Sequence, residues 1–135
     1  MPVVIDASVI GPLLIPDEAD DEHPEILNVF RAGSAVVPIH WHLEVANLGL
    51  TAVRRQRLAE TDFIQRLADF SEFAIAVDQE TSGQAGIRTV QLAITHALTV
   101  YDAAYLELAL RSQAGLLTAD VDLMRAAKAE KVKLL

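Results

Sequence analysis

The sequence predicts an α/β domain in three layers, a central, mostly parallel sheet of about five strands flanked by helices. Two observations carry this. Short, mostly apolar runs recur along the chain: Ala35 to Pro38, Phe73 to Val77, Leu116 to Thr118, Val132 to Leu135 and, without any polar alternation, Val3 to Ile5. Such a run reads as a strand buried on both faces. Between the runs lie segments whose apolar residues recur every three and four positions, and strands alternating with helices are the pattern of a parallel sheet joined by crossovers.

The first strand, Val3-Val4-Ile5, ends in Asp6, at the carboxyl end where open α/β sheets bind ligands. A charge directly after a buried strand is costly unless something holds it. Asp is also a preferred helix N-cap, and on this segment alone the cap is the better reading. Ala7 to Leu14 predicts a short buried helix ended by Pro16. Asp17 to Glu25 is acid-rich. Pro24 suits the opening of a helix that reaches Arg31 or Ala32, with Gly33 as its C-cap. The acids before it read as a solvated, dipole-favoured helix start without a catalytic role.

After the second strand a helix is expected from about His42 to Gln56, with Leu43, Ala46, Leu50 and Val53 as its core stripe. Arg54, Arg55 and Arg57 fall near its end, where cations complement the dipole. Glu60 to Phe70 predicts another helix through Phe63, Ile64, Leu67 and Phe70, followed by the third strand. Ser82, Gly83 and Gly86 weaken the next segment, but Ile87 to Ala97 still reads as a helix through Val90, Ile94 and Ala97. Tyr101 to Ser112 is a stronger one, with Ala104, Tyr105, Leu108 and Ala109 inward. The fourth strand, a helix from Asp120 to Glu130 and a terminal strand complete the chain.

At 135 residues the chain is the size of one domain. It contains no cysteine. That excludes disulfides, thiolate metal sites and cysteine nucleophiles, and fits a reducing cytoplasm. The N-terminus lacks the basic region of a signal peptide. No apolar run approaches the roughly 20 residues that span a bilayer, so no membrane role is expected. The net charge of −8 argues against binding nucleic acid by general phosphate attraction. It permits handling phosphate through cations held by the chain's own carboxylates.

Four acids stand at strand ends or helix starts: Asp6, Glu44, Asp102 and Asp120. In a parallel α/β sheet all four can converge on one edge. Two such charges ~4 Å apart repel by ~1 kcal/mol in water and ~4 kcal/mol at an effective dielectric of 20. A cluster of this kind calls for cations, and hard oxygen ligands select Mg²⁺ or Mn²⁺. Each acid also has a local excuse as a cap or dipole partner. Spacing alone leaves the two readings open.

The set Val4-Ile5-Asp6-Ala7-Ser8, Glu44 with Asn47, Tyr101-Asp102-Ala103-Ala104-Tyr105, and Leu117-Thr118-Ala119-Asp120-Val121-Asp122 resembles the PIN-domain nucleases, and is most similar to the VapC-type toxins of toxin–antitoxin pairs. The resemblance runs from Val3 to Ala127. It implies a PIN-like fold and Mg²⁺- or Mn²⁺-dependent cleavage of RNA. By position Asp6, Glu44, Asp102 and Asp120 resemble the family's acidic, metal-binding quartet, with Asp122 an acid that some members add. Ser8 and Thr118 fall at hydroxyl positions that orient water or a neighbouring carboxylate, or else bond nearby backbone. Asn47, one turn after Glu44, shares its face and is placed to bond Glu44, substrate or backbone. The resemblance further implies a small VapB-like antitoxin that blocks the site and a homodimer.

Other features weigh less. His40-Trp41-His42-Leu43-Glu44 lacks the spaced partners of a zinc centre. His42 reads as flanking the helix start, Trp41 as core and His96 as structural. Arg54, Arg55 and Arg57 would guide an RNA backbone or simply form a solvated face. Two rival functions remain. One is a haloacid-dehalogenase-like phosphatase with Asp6 as nucleophile, although position 8, typically a second Asp there, is Ser8. The other is a non-catalytic interaction module on the same fold. The RNA target is not legible.

Overall fold

The computed structural model describes residues 1–135. Four strands, β1 (Val3–Ile5), β2 (Ala35–Val37), β3 (Ala76–Val77) and β4 (Gly115–Leu117), form one sheet in the order β3-β2-β1-β4. All the pairings are parallel: Val3 stands opposite Ala35 on one side and Gly115 on the other, and Ile5 opposite Leu117. β1 therefore lies inside the sheet with Val4 and Ile5 fully buried, as its unbroken apolar run requires. The chain steps from β1 out to β2 and β3, then returns to lay β4 against the other edge of β1. Connections thus diverge between β1 and β4, and the carboxyl edge at that divergence is where α/β sheets take ligands.

The sheet has four strands where about five were expected. Residues 132–135 make only one parallel bridge, Leu134 to Leu116. There the Leu116 N–H donates to the Lys133 carbonyl at 2.9 Å and the Leu135 N–H to the Leu116 carbonyl at 3.1 Å, and the contact with the sheet goes no further. The third strand is shorter than Phe73 to Val77. Phe73 leaves the sheet to stack on Phe30, with ring centroids 4.9 Å apart, and only Ala76 and Val77 pair with β2.

The helices depart from expectation in instructive ways. Ala7 to Leu14 is two pieces, a 3-10 turn over Ala7–Val9 and α1 (Gly11–Leu14). Pro12 has no N–H to continue the first turn and suits the start of the second. Pro16 opens a further 3-10 turn, Pro16–Asp21, and α2 (Ile26–Arg31) begins two residues after Pro24. Gly33 then takes φ +66°, the left-handed conformation expected of it.

In α3 (Trp41–Arg54) the inward residues are Trp41, Val45, Gly49 and Ala52, and Leu43 is 76% exposed. The stripe has the expected period in a different phase. A Cβ on Gly49 would stand 2.1 Å from the Phe63 ring of α4 (Glu60–Phe70), so this face is inward because it is small. A reading that ranked residues by hydrophobicity chose the larger, outward ones.

After α5 (Thr81–Gln84), a π-helical turn at Ala85–Thr89 leads into α6 (Val90–His96). The wider turn rotates the buried face to Thr89, Leu92, Ala93 and His96, and leaves Ile94 78% exposed. His96 is structural, its Nε2 lying 2.8 Å from Glu130 Oε1. Helix α7 (Val100–Ser112) keeps its expected inward face of Ala104, Tyr105, Leu108 and Ala109 and packs on β1 and β4. Helix α8 (Val121–Ala129) follows β4. No helix is long and apolar enough to cross a membrane.

Candidate active site

At the carboxyl edge between β1 and β4, Asp6 is buried and makes no capping bond to the turn after it. Two hydroxyls hold it instead. Thr118 Oγ1 donates to Asp6 Oδ2 at 2.6 Å, and Ser8 Oγ donates to the same oxygen at 2.7 Å. The backbone N–H of Ala119 donates to Ser8 Oγ at 2.9 Å, and that of Asp120 to Thr118 Oγ1 at 3.0 Å. A hydroxyl has one proton, and the incoming N–H groups leave each free to spend it on Asp6. Burial pushes the Asp6 carboxyl above its ordinary range, and the bonds from Thr118 and Ser8 offset only part of that.

Glu44 lies in the first turn of α3. Tyr105 of α7 donates its phenol to Glu44 Oε1 at 2.5 Å. His40 Nε2 lies 3.0 Å from the same oxygen but out of line for a hydrogen bond, so the contact is one of charge when the ring is protonated. Burial acts to raise the Glu44 carboxyl, but His40 and Tyr105 together outweigh it, and the group sits below its ordinary range. Tyr105 is pushed far upward by burial and by Glu44, and so keeps its proton. Neither His40 nor Tyr105 was singled out from sequence as a partner of Glu44. For His40 a signal was there, four residues before Glu44; Tyr105 lies 61 residues from it and had none.

Asp102 enters α7 at its third residue, and its N–H donates to the capping Thr99 Oγ1 at 3.1 Å. Its carboxyl is raised, first by burial, then by the charges of Asp6 and Asp120, with Glu44 adding to them. Asp120 caps α8, accepting from the Leu123 N–H at 2.8 Å. For Asp120 cap and pocket wall are not alternatives, because one oxygen serves the helix.

All four acids line one cavity of about 400 Å³, together with Ser8 and Asn47. No lysine or arginine lies within ion-pair distance of any of them. The donor set, carboxylates without thiolate, suits a hard divalent cation. The mutual repulsion that raises Asp102 is what such a cation would relieve. The carboxylates do not close into a cage, since no three acidic or histidine side chains stand together tightly enough to hold one ion. Asp6, Glu44, Asp102 and Asp120 are the four sequence-expected acids that the cavity brings together.

The remaining candidates divide. Asn47 faces the cavity, and its amide bonds neither Glu44 nor backbone. Asp122 does not reach the cavity; it is exposed and lies 3.6 Å from Arg125. Arg55 lines the cavity and Arg54 does not. Arg57 lines it but is engaged, donating to Asp17 at 2.6 and 2.9 Å and to Glu18 at 2.8 Å. The acid-rich stretch expected to be only a solvated helix start therefore puts Glu18 on the cavity wall.

An acidic pocket at the divergence point of a small parallel sheet is the site of a recognisable class. The PIN domain family model matches residues 3–129, and the chain belongs to that family. The match also decides against the haloacid-dehalogenase reading. Over 124 residues the chain is 33% identical to Ribonuclease VapC3 of Pyrobaculum aerophilum, covering 89% of this chain and 90% of that protein. It shares its fold with the crystal structure of PAE2754 from Pyrobaculum aerophilum, with a TM-score of 0.67, 20% identity, and coverage of 93% of this chain and 86% of that one.

Proposed function

We propose that this chain is an endoribonuclease of the VapC type, hydrolysing RNA phosphodiester bonds with a divalent cation, Mg²⁺ or Mn²⁺, held by Asp6, Glu44, Asp102 and Asp120. The observation that carries the reading is four carboxylates from four separate segments lining one cavity, none of them in an ion pair with the Arg55 and Arg57 that also line it. The likeness to Ribonuclease VapC3 supports RNA as the substrate.

When bound, the cation would lower the pKa of a water and offset charge on the phosphate. The chain's own residues supply position. Ser8 and Thr118 fix Asp6 Oδ2, so Asp6 keeps one orientation. Tyr105 orients Glu44 and, keeping its proton, remains a donor. The N-cap bond fixes Asp120. Asp102, raised by burial and then by the charges of Asp6 and Asp120, is a carboxylate whose charge a nearby cation would favour. Asn47 offers the cavity an amide for a phosphate or ribose oxygen.

The same reading makes a small VapB-like antitoxin the partner, presenting positive charge to the acidic cavity. It also makes a homodimer the assembly and the cytoplasm the compartment. The test is cleavage of labelled single-stranded RNA by purified protein stripped with chelator, then given Mg²⁺ or Mn²⁺. Cleavage that returns with the metal in wild type and fails to return in Asp102→Asn is the expected result. Metal-independent cleavage sinks the quartet. No cleavage and no metal binding by calorimetry leaves a non-catalytic module on this fold.

A further inference from the structure

The acid-lined cavity continues on two sides. On one, a cavity of about 410 Å³ shares Ser8 and Glu18 with it and adds Asp21. On the other, a cavity of about 440 Å³ shares Glu44, Asn47 and Asp102 and adds His40, Leu43 and Tyr101. A polyanion reaching the acids meets one further carboxylate, Asp21, on the first side, where Glu18 is already paired with Arg57, and, beyond the shared acids, none on the second. The second wall is also apolar: Tyr101 is 63% exposed, as is most of Leu43. Exposed apolar residues scattered singly need no explanation. These two line a concavity whose other wall carries two of the four acids.

Tyr101 is exposed but not adrift. Its ring meets the edge of His40 at 6.0 Å, and His40 meets Tyr105 at 5.4 Å, so an aromatic series runs from the rim to the ring that holds Glu44. A large ring anchored at one edge offers stacking area with little freedom left to lose.

We propose that Tyr101, with Leu43 beside it, is the stacking subsite for a nucleobase adjoining the scissile phosphate of single-stranded RNA. The assignment rests on the ribonuclease reading. Base stacking on an aromatic ring is tolerant of sequence, so the subsite sets where the strand lies and leaves base identity to other contacts.

The test is a binding cycle on the full chain in Mg²⁺. Anisotropy reads the affinity of a short phosphorothioate RNA, which resists cleavage, and of versions with an abasic nucleotide at each position in turn. Tyr101→Ala is expected to bind the intact RNA about tenfold more weakly, with Tyr101→Phe and Tyr101→Trp near wild type. At one abasic position wild type loses a similar factor and Tyr101→Ala loses nothing more. On cleavable RNA, Tyr101→Ala raises KM and leaves kcat in place. Equal affinity of wild type and Tyr101→Ala, or an equal Tyr101→Ala loss at every abasic position, overturns the subsite and leaves the ribonuclease reading standing. A wild type that neither binds nor cleaves RNA overturns both. A Tyr101→Ala protein that keeps its RNA affinity but sediments as a smaller species gives this surface to a second copy of the chain, and also overturns the subsite.

Discussion

Toward one end of α7, Asp102 faces Asp6, Glu44 and Asp120 without a lysine or arginine in pairing range; toward the other, Glu107 is only 3% exposed yet rests against Arg111. That guanidinium donates to both Glu107 oxygens, at 2.7 and 3.0 Å, and also holds Asp78 and Glu80. The two neighbourhoods have similar acidity and opposite electrostatics. Arg111 pulls the Asp78 carboxyl below its ordinary range, and burial, with repulsion adding to it, pushes Asp102 above it. A buried acid with its own arginine is part of the architecture. Acids gathered around an open cavity and left uncompensated are arranged for something that arrives from outside.

The comparison predicts that the two clusters fail in different currencies when substituted. Asp6→Asn or Asp102→Asn should lower the rate of RNA cleavage by about 100-fold or more, the scale lost with a key electrostatic group. In chelator the same variants should melt no lower than wild type, since each removes a carboxylate that burial and like charge disfavour. A variant that unfolded in parallel with its loss of cleavage would erase the distinction. Arg111→Met should do the reverse. It leaves Glu107 buried and unpaired, a loss of about 3–5 kcal/mol of stability that urea denaturation would register. An unmoved midpoint would show that the guanidinium cluster is ornamental.

Metal should separate them next. Mg²⁺ or Mn²⁺ at about 100 times its Kd should stabilise wild type by about 2.7 kcal/mol and Asp102→Asn far less.

The pH dependence has opposite signs in the two places. Asp6 and Asp102 are raised, so their contribution is present below the ordinary value of 3.8 and is lost as pH rises through their higher folded values. Asp78 is lowered, so its contribution is present above 3.8 and lost as pH falls through its depressed folded value. Stability against pH in chelator should therefore show a smaller downturn on the rising-pH side in Asp102→Asn, with the Asp6 share remaining, and a softer acid limb in Asp78→Asn. The smallest effect belongs to Asp122→Asn, within about 0.5 kcal/mol of wild type and still cleaving RNA. A large loss of cleavage there would return Asp122 to the site.

What the sequence revealed follows from this contrast. Asp6, Asp102 and Asp120 were legible because each interrupts or ends an apolar run, where a charge needs a reason. Ser8 and Thr118 were legible as hydroxyls beside those acids. Tyr105 was read as core, and it is core; its phenol oxygen reaches Glu44 across 61 residues, a distance no local pattern encodes. Asp122 shares the motif with Asp120 but, two residues further along the start of α8, points away. The inward phase of α3 was hidden because Gly49 and Ala52 are chosen for closeness, not hydrophobicity. In α6 the π-turn shifted a correct period by a residue.

The bonds that seat Asp6 also set a clock. Thr118, which donates to Asp6, is synthesised 112 residues after it. At about 5–20 residues per second, on the order of 6–22 seconds separate the two. For that interval the nascent chain has Asp6 but neither the fourth strand nor Asp120, so the pocket cannot assemble until both have been made.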